Sequence, residues 1–252
     1  MEAYFITDVG KVRSHNEDSG GIFYNQANQV LAIVADGMGG HSAGEVASEL
    51  ATNFIQQKWE KEVQFQQATE LEAWITETVK EANDVVYTEA KEQVELEGMG
   101  TTVVLAACTD EFITIAHIGD SRCYLYNDGK LKQLTEDHSL VNELLRAGQI
   151  SPDDAAYHPR KNVLVRALGT EAMTECEIQT IGWEVEDKLL LCSDGLTNKL
   201  MDAEIEDILS KQAVLQEIGE EMIGLANERG GEDNISIALI HHEQAVRAGE
   251  TE

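Results

Sequence analysis

Hydrophobic positions along the chain switch between two spacings. Residues 3–8 form a short apolar-rich start, and 30–35 (Val-Leu-Ala-Ile-Val-Ala) are apolar without a break, a run too short for a helix. That run meets Asp36-Gly37-Met38-Gly39-Gly40, so a strand is expected to pass into a glycine-rich loop. From Ala43 to about Glu62 the spacing becomes helical, with Val46, Leu50, Phe54 and Ile55 on one face. Leu71, Trp74, Ile75, Thr78, Val79, Ala82 and Val86 mark a second helix. Gly98-Met99-Gly100 breaks it, and strand-like segments follow at 101–108, 112–118 and 121–126. The last turns at Asn127-Asp128-Gly129, a sequence suited to the positive φ of a tight hairpin, into 130–134. Residues 139–147 read as a short amphipathic helix, and from about 148 to 162 the pattern is lost, which predicts a surface flap. Strands are expected again at 174–181, 187–192 and 234–240, with helices at about 202–210 and 212–228 and a polar, frayed tail over 241–252.

Helices grouped in pairs against meandering strands predict antiparallel α/β layering rather than the regular alternation of a parallel sheet. Two prolines, Pro152 and Pro159, are too few for a proline-rich linker, so residues 1–252 are read as one domain.

Charge changes the picture more than composition does. Forty-seven acidic residues against eighteen basic give a formal charge of −29. Such a surface repels nucleic acid and anionic membranes, which excludes non-specific binding to either. It also means that an anionic substrate needs cations or an arginine in order to approach. Much of the excess lies on the polar faces of the first two helices, where glutamates form a solvated coat. The Met-Glu-Ala-Tyr-Phe start lacks the basic and apolar stretches of a signal peptide, and no apolar run approaches the ~18 residues of a membrane span. Cys108, Cys123, Cys176 and Cys192 lie far apart with no CxxC pair. A reduced cytoplasmic protein without zinc is expected.

Three aspartates share one local context. Asp36 follows the run 30–35, Asp194 follows Leu189-Leu190-Leu191-Cys192-Ser193, and Asp120 follows 113–119; each has a glycine beside it. Asp233 stands before the strand 235–240, and Glu17-Asp18 lies near the start. Any one of these is an ordinary turn residue. Together they can converge on one sheet edge, and clustered carboxylates cannot all ionise without cations. Oxygen-only ligands favour Mg²⁺ or Mn²⁺, and two such ions roughly 4 Å apart bind phosphate and activate water. Arg13, just before Asn16-Glu17-Asp18, offers a guanidinium that matches two phosphate oxygens.

In this order the motifs resemble those of the metal-dependent Ser/Thr protein phosphatases of the 2C type, in their compact bacterial form. They are Arg13-Ser14-His15-Asn16-Glu17-Asp18, Asp36-Gly37-Met38-Gly39-Gly40-His41, Gly98-Met99-Gly100-Thr101-Thr102, Gly119-Asp120-Ser121-Arg122, Leu191-Cys192-Ser193-Asp194-Gly195 and Glu232-Asp233-Asn234, covering about residues 4 to 240. The resemblance implies an α+β fold, a four-layer α/β/β/α sandwich of two antiparallel sheets flanked by helix pairs, with metals at one end. It implies hydrolysis of phosphoserine and phosphothreonine by a water bridging two Mn²⁺ or Mg²⁺ ions. Asp36 would bridge both ions, the Gly37 carbonyl and Glu17 would serve one, and Asp194 and Asp233 the other. Asp18 would stand in the outer shell, Asp120 would hold a third, weaker ion, and Arg13 would bind phosphate. A cognate Ser/Thr kinase and its substrates would be the partners of a monomeric, cytoplasmic enzyme, and 148–162 would be the mobile flap.

Some eukaryotic members carry histidine after the Asp-Gly pair as a proposed general acid. Met38 stands there, leaving His41 as the candidate proton donor. Two other readings use the same residues: a phosphohydrolase of small phosphate esters, and a pseudophosphatase that only binds phosphoproteins. The second is disfavoured by the presence of Asp36, Asp194 and Asp233, and a calcium-binding protein by the absence of a DxDxDG loop.

Overall fold

The uninterrupted apolar strands are explained by sheets that are covered on both faces. In the computed structural model, which describes residues 1–40, 43–151, 154–155 and 158–243, β3 spans Val30–Met38. Its residues alternate between two cores. Leu31, Ile33 and Ala35 pack beneath helices, while Val30, Ala32 and Val34 pack against a second sheet. Period-two alternation is therefore present, but both sets of positions are apolar.

One sheet has the order β2-β3-β5-β6-β9, built from β2 (Asp18–Tyr24), β3, β5 (Val103–Cys108), β6 (Phe112–Ile118) and β9 (Glu177–Gly182). The short β4 (Gly100–Thr101) pairs with the end of β3. The other sheet has the order β1-β11-β10-β7-β8, built from β1 (Glu2–Asp8), β7 (Arg122–Asn127), β8 (Lys130–Gln133), β10 (Lys188–Cys192) and β11 (Ile235–His241). Every pairing is antiparallel.

Helices α1 (Ala43–Trp59) and α2 (Ala68–Glu92) cover the first sheet. Their core is closed at one end by Trp59, Phe65 and Trp74, with ring centroids 5.4–5.7 Å apart. Helices α5 (Asp202–Leu209) and α6 (Leu215–Glu228) cover the second sheet through Ile205, Leu209, Ile218 and Met222. The result is the expected α/β/β/α sandwich. Two short helices, α3 (Leu140–Arg146) and α4 (Asp194–Thr197), lie outside these layers. The Ser139 hydroxyl caps α3, accepting from Asn142 N at 3.2 Å.

Two local expectations are corrected. Asp36 and Gly37 belong to β3, which continues to Met38 because Gly37 and Met38 pair with Thr101 and Gly100. Asp194 follows β10, as expected, and opens the helix α4. Residues 18–24, read as no element, form β2. Among the described residues no helix is long and apolar enough to cross a membrane. All four cysteines are free, and Cys108, Cys123 and Cys192 are buried.

Candidate active site

Asp36 shares the face of Val30, Ala32 and Val34, so its carboxylate stands at the mouth of the space between the sheets. Asp18 is its cross-strand partner on β2. Asp194 and Asp233 come from the opposite sheet, after β10 and before β11, and Asp120 sits in the β6–β7 connection. A cavity of about 390 Å³ is lined by Arg13, Glu17, Asp36, Asp120, Asp194 and Asp233, together with Gly37, Met38, Thr102 and Asn162. A second cleft of about 430 Å³ adjoins it, shares Asp120, Asn162 and Asp194, and runs toward α3. Asp18 lies beneath the floor, accepting from Ser193 Oγ at 2.8 Å. His41 falls outside the described residues.

Backbone packing sets these positions. A Cβ on Gly37 would lie 2.1 Å from the Gly44 carbonyl oxygen, and one on Gly44 would lie 2.9 Å from Glu17 Oε1. Both places therefore need glycine, and α1 begins against the Asp36-Gly37 backbone. The Glu17 carbonyl accepts from Gly37 N at 3.1 Å and from Ser48 Oγ at 2.6 Å.

Several residues that shape the site had no role in the sequence reading. Thr102 Oγ1 accepts from Asp36 N at 2.9 Å and is 2.8 Å from Ser121 Oγ, while Thr102 N donates to the Asp36 carbonyl at 2.8 Å. Asn234 Oδ1 accepts from Glu17 N at 2.8 Å, and its Nδ2 donates to the Val9 and His15 carbonyls at 2.9 Å. Asn198 Nδ2 donates to Asp194 Oδ2 at 2.9 Å. Thr102 and Asn234 lie inside the quoted motifs without an assigned role, and Asn198 carries no signal in the sequence.

The electrostatics of the cluster are unbalanced. Burial, reinforced by Asp18, Asp194 and Asp120, drives the Asp36 pKa well above the ordinary carboxylate value. Burial raises Asp18 to about 7, with the hydroxyls of Ser236 and Ser193 pulling the other way. Burial and then Asp194 raise Asp120 to about 7, and burial and then Asp233 raise Asp194. The cation lining the cavity is Arg13, whose Nη2 is 3.0 Å from both Asp233 oxygens and whose Nη1 is 3.6 Å from Glu17 Oε2. Asp18 Oδ1 and Asp194 Oδ1 are buried without a hydrogen-bond partner. Orphaned carboxylate oxygens in an all-oxygen cage fit hard divalent cations, whose charge would reverse the pKa shifts.

A layered sandwich with this carboxylate cage defines the class as a metal-dependent phosphohydrolase. The family model described as Protein phosphatase 2C matches residues 11–239. The chain is 48% identical to the serine/threonine phosphatase stp of Listeria monocytogenes over 96% of each chain. It superposes on the crystal structure of a serine/threonine phosphatase from Staphylococcus aureus with a TM-score of 0.92 and 40% identity, covering 96% of this chain and 95% of that one. The catalytic domain of serine threonine protein phosphatase PstP, solved with two manganese ions, matches with a TM-score of 0.84 and 32% identity, covering 96% and 98%. The chain belongs to the protein phosphatase 2C family of serine/threonine protein phosphatases, in its bacterial form.

Proposed function

We propose that the chain hydrolyses phosphoserine and phosphothreonine esters on bacterial proteins, with two Mn²⁺ or Mg²⁺ ions held by Asp36, the Gly37 carbonyl, Glu17, Asp194 and Asp233. The observation that carries the reading is the carboxylate cage at the mouth of the sandwich, with an orphaned oxygen on Asp194, another on Asp18 beneath it, and a single arginine among its described lining residues. When bound, the ions neutralise the phosphate and bring the pKa of water near neutrality, which supplies the nucleophile.

The chain's own residues do the rest. Asp36, whose backbone N–H and carbonyl are both engaged by Thr102, presents its carboxylate to both sheets' ligands. Asp18 supports from below through Ser193. Arg13 spans the mouth, half exposed, and is held by Asp233 and Glu17. Once those carboxylates are neutralised their hold weakens, and the guanidinium turns to meet phosphate oxygens. His41 is the proposed proton donor to the leaving serine or threonine oxygen, and Asp120 is proposed to hold a third, weaker ion.

The functional unit we propose is one catalytic domain, 1–252, with a flap at about 148–162 beside the site and a polar tail over 241–252. Asn162, at the end of that flap, and Leu164, just beyond it, line the cavity and support the reading. A cognate Ser/Thr kinase and its substrates are the proposed partners of a cytoplasmic monomer. The charge of −29 disfavours nucleic acid and anionic membranes as ligands. Phosphate release from a phosphothreonine peptide, compared with nucleotides and bis-aryl phosphodiesters under the same Mn²⁺, tests the substrate class. Faster turnover of the small esters would favour the small-ester reading instead.

A further inference from the structure

Asp120 is held in the cage by its neighbours in the chain, and those neighbours are gripped by one segment. Gly119 has φ +105°, and a Cβ there would sit 2.6 Å from Thr102 Cγ2, so the position has room only for glycine. With no side chain of its own, its peptide is fixed by His138 from both sides. His138 N donates to the Gly119 carbonyl at 2.9 Å, and Gly119 N donates to His138 Nδ1 at 3.1 Å. On the other flank Asp137 grips Arg122 through two bonds, from Nε at 2.8 Å and from Nη2 at 2.7 Å.

An acceptor at Nδ1 requires a neutral imidazole with its proton on Nε2. Nε2 is buried and 3.1 Å from Glu177 Oε1, with no hydrogen bond formed. The same Glu177 oxygen takes Arg166 Nη1 at 3.2 Å. Burial and the neighbouring His117 lower the His138 pKa against the pull of Glu177, which keeps the ring neutral. His117 stacks on His138 at 4.6 Å, and its Nε2 is 2.8 Å from the Glu136 carbonyl. His117, His138 and Glu177 bring ligand atoms within 4.8 Å of one another. One nitrogen of each stacked ring is already engaged, His117 Nε2 at the Glu136 carbonyl and His138 Nδ1 by Gly119 N. The group is built to orient His138.

We infer that His138, its Nδ1 engaged by the Gly119 amide and its Nε2 proton favoured by the nearby Glu177 carboxylate, is a positioning residue that holds the Gly119 peptide and thereby aims Asp120 into the cage. The inference rests on the proposed role of Asp120. It also links the site to the flap side, because Val165 N donates to the His138 carbonyl at 2.9 Å and Leu140 N to the Val163 carbonyl at 2.8 Å.

Two measurements test it. In the unmodified, metal-free, ¹⁵N-labelled protein, a scalar coupling should connect the Gly119 amide nitrogen to His138 Nδ1, and the imidazole shifts should report protonation at Nε2 alone. A ring protonated at Nδ1 would overturn the inference. Calorimetric titration with Mn²⁺, with melting temperature alongside, then compares wild type, Asp120→Ala, His138→Phe, His138→Asn and the double variant Asp120→Ala/His138→Phe. The weak binding phase should be lost in Asp120→Ala and in His138→Phe. It should be largely kept in His138→Asn, whose Oδ1 can still accept from Gly119, and the double variant should lose nothing beyond Asp120→Ala. If Asp120→Ala keeps the weak phase, the Asp120 reading fails and the inference falls with it. If Asp120→Ala loses the phase while His138→Phe keeps it, the inference alone is overturned. Should His138→Phe not fold, Glu177→Ala is expected to weaken that phase several-fold, and wild-type affinity in it would count against the positioning role.

Discussion

Removing metal and raising pH should destabilise this protein in a defined direction. Burial lifts the folded-state pKa of Asp18 and Asp120 from the ordinary 3.8 to about 7. Between about pH 4 and pH 7 the folded, metal-free chain then binds more protons than the unfolded chain, so stability is highest at the acid end and falls as pH rises. A displacement of about 3 pKa units corresponds to about 4 kcal/mol per group at about 1.4 kcal/mol per unit. The two acids titrate against the same neighbours, so the expected loss is a few kcal/mol and not twice that figure. For a chain of this size that is on the order of 10 °C in melting temperature. His138 works the other way, since protonating a buried imidazole costs stability at low pH. Asp120→Asn, which removes one carboxylate, isolates the term: in EDTA it should melt higher than wild type at pH 8 and nearly the same at pH 5. Saturating Mn²⁺ should abolish the pH-dependent loss in the wild type. Melting curves in EDTA that are flat or rising from pH 5 to pH 8, with no difference in Asp120→Asn, would refute the reasoning.

Thr102→Val keeps the shape of the side chain but leaves the Asp36 N–H without its acceptor. It should cost about 1–3 kcal/mol in urea unfolding and lower phosphopeptide turnover as well. Gly44→Ala places a methyl group 2.8 Å from the Gly37 carbonyl and 2.9 Å from Glu17 Oε1. It should weaken Mn²⁺ affinity by calorimetry, and unchanged affinity would show that this approach does not set the cage. Arg13→Ala should raise KM for a phosphopeptide more than it lowers kcat, and Arg13→Lys should not restore KM, since a point charge lacks the two-pronged donor geometry.

Most of the sandwich was legible because its strands and helices carry local patterns. The run 30–35 is apolar since one face meets α1 and α2 and the other meets the second sheet. β2 was not legible: Asp-Ser-Gly-Gly opens it, and a glycine pair carries no strand signal. Its pairing with β3 fixes it instead. The extension of β3 through Asp36 and Gly37 depends on Thr101 and Gly100, more than sixty residues further along, which no local window contains. Asp36, Asp120 and Asp194 stood out because each lies beside glycine after an apolar run. Asn198 did not, and Thr102 and Asn234 entered only inside motifs without a role, because a hydrogen bond to backbone or carboxylate leaves no periodic trace. Nothing in the sequence pattern singles out His138, and only the fold brings it to Gly119.

The central claim is that the chain cleaves phosphoprotein esters with cations held by Asp36 and its neighbours. Its most direct test is phosphate release from a phosphothreonine peptide by EDTA-treated protein, before and after Mn²⁺ addition, for wild type and Asp36→Ala. The account predicts no release without metal, full recovery of wild type on adding Mn²⁺, and a loss of several orders of magnitude in the variant that Mn²⁺ does not repair. Turnover by metal-free wild type, or more than about a tenth of wild-type activity in folded Asp36→Ala, would contradict it.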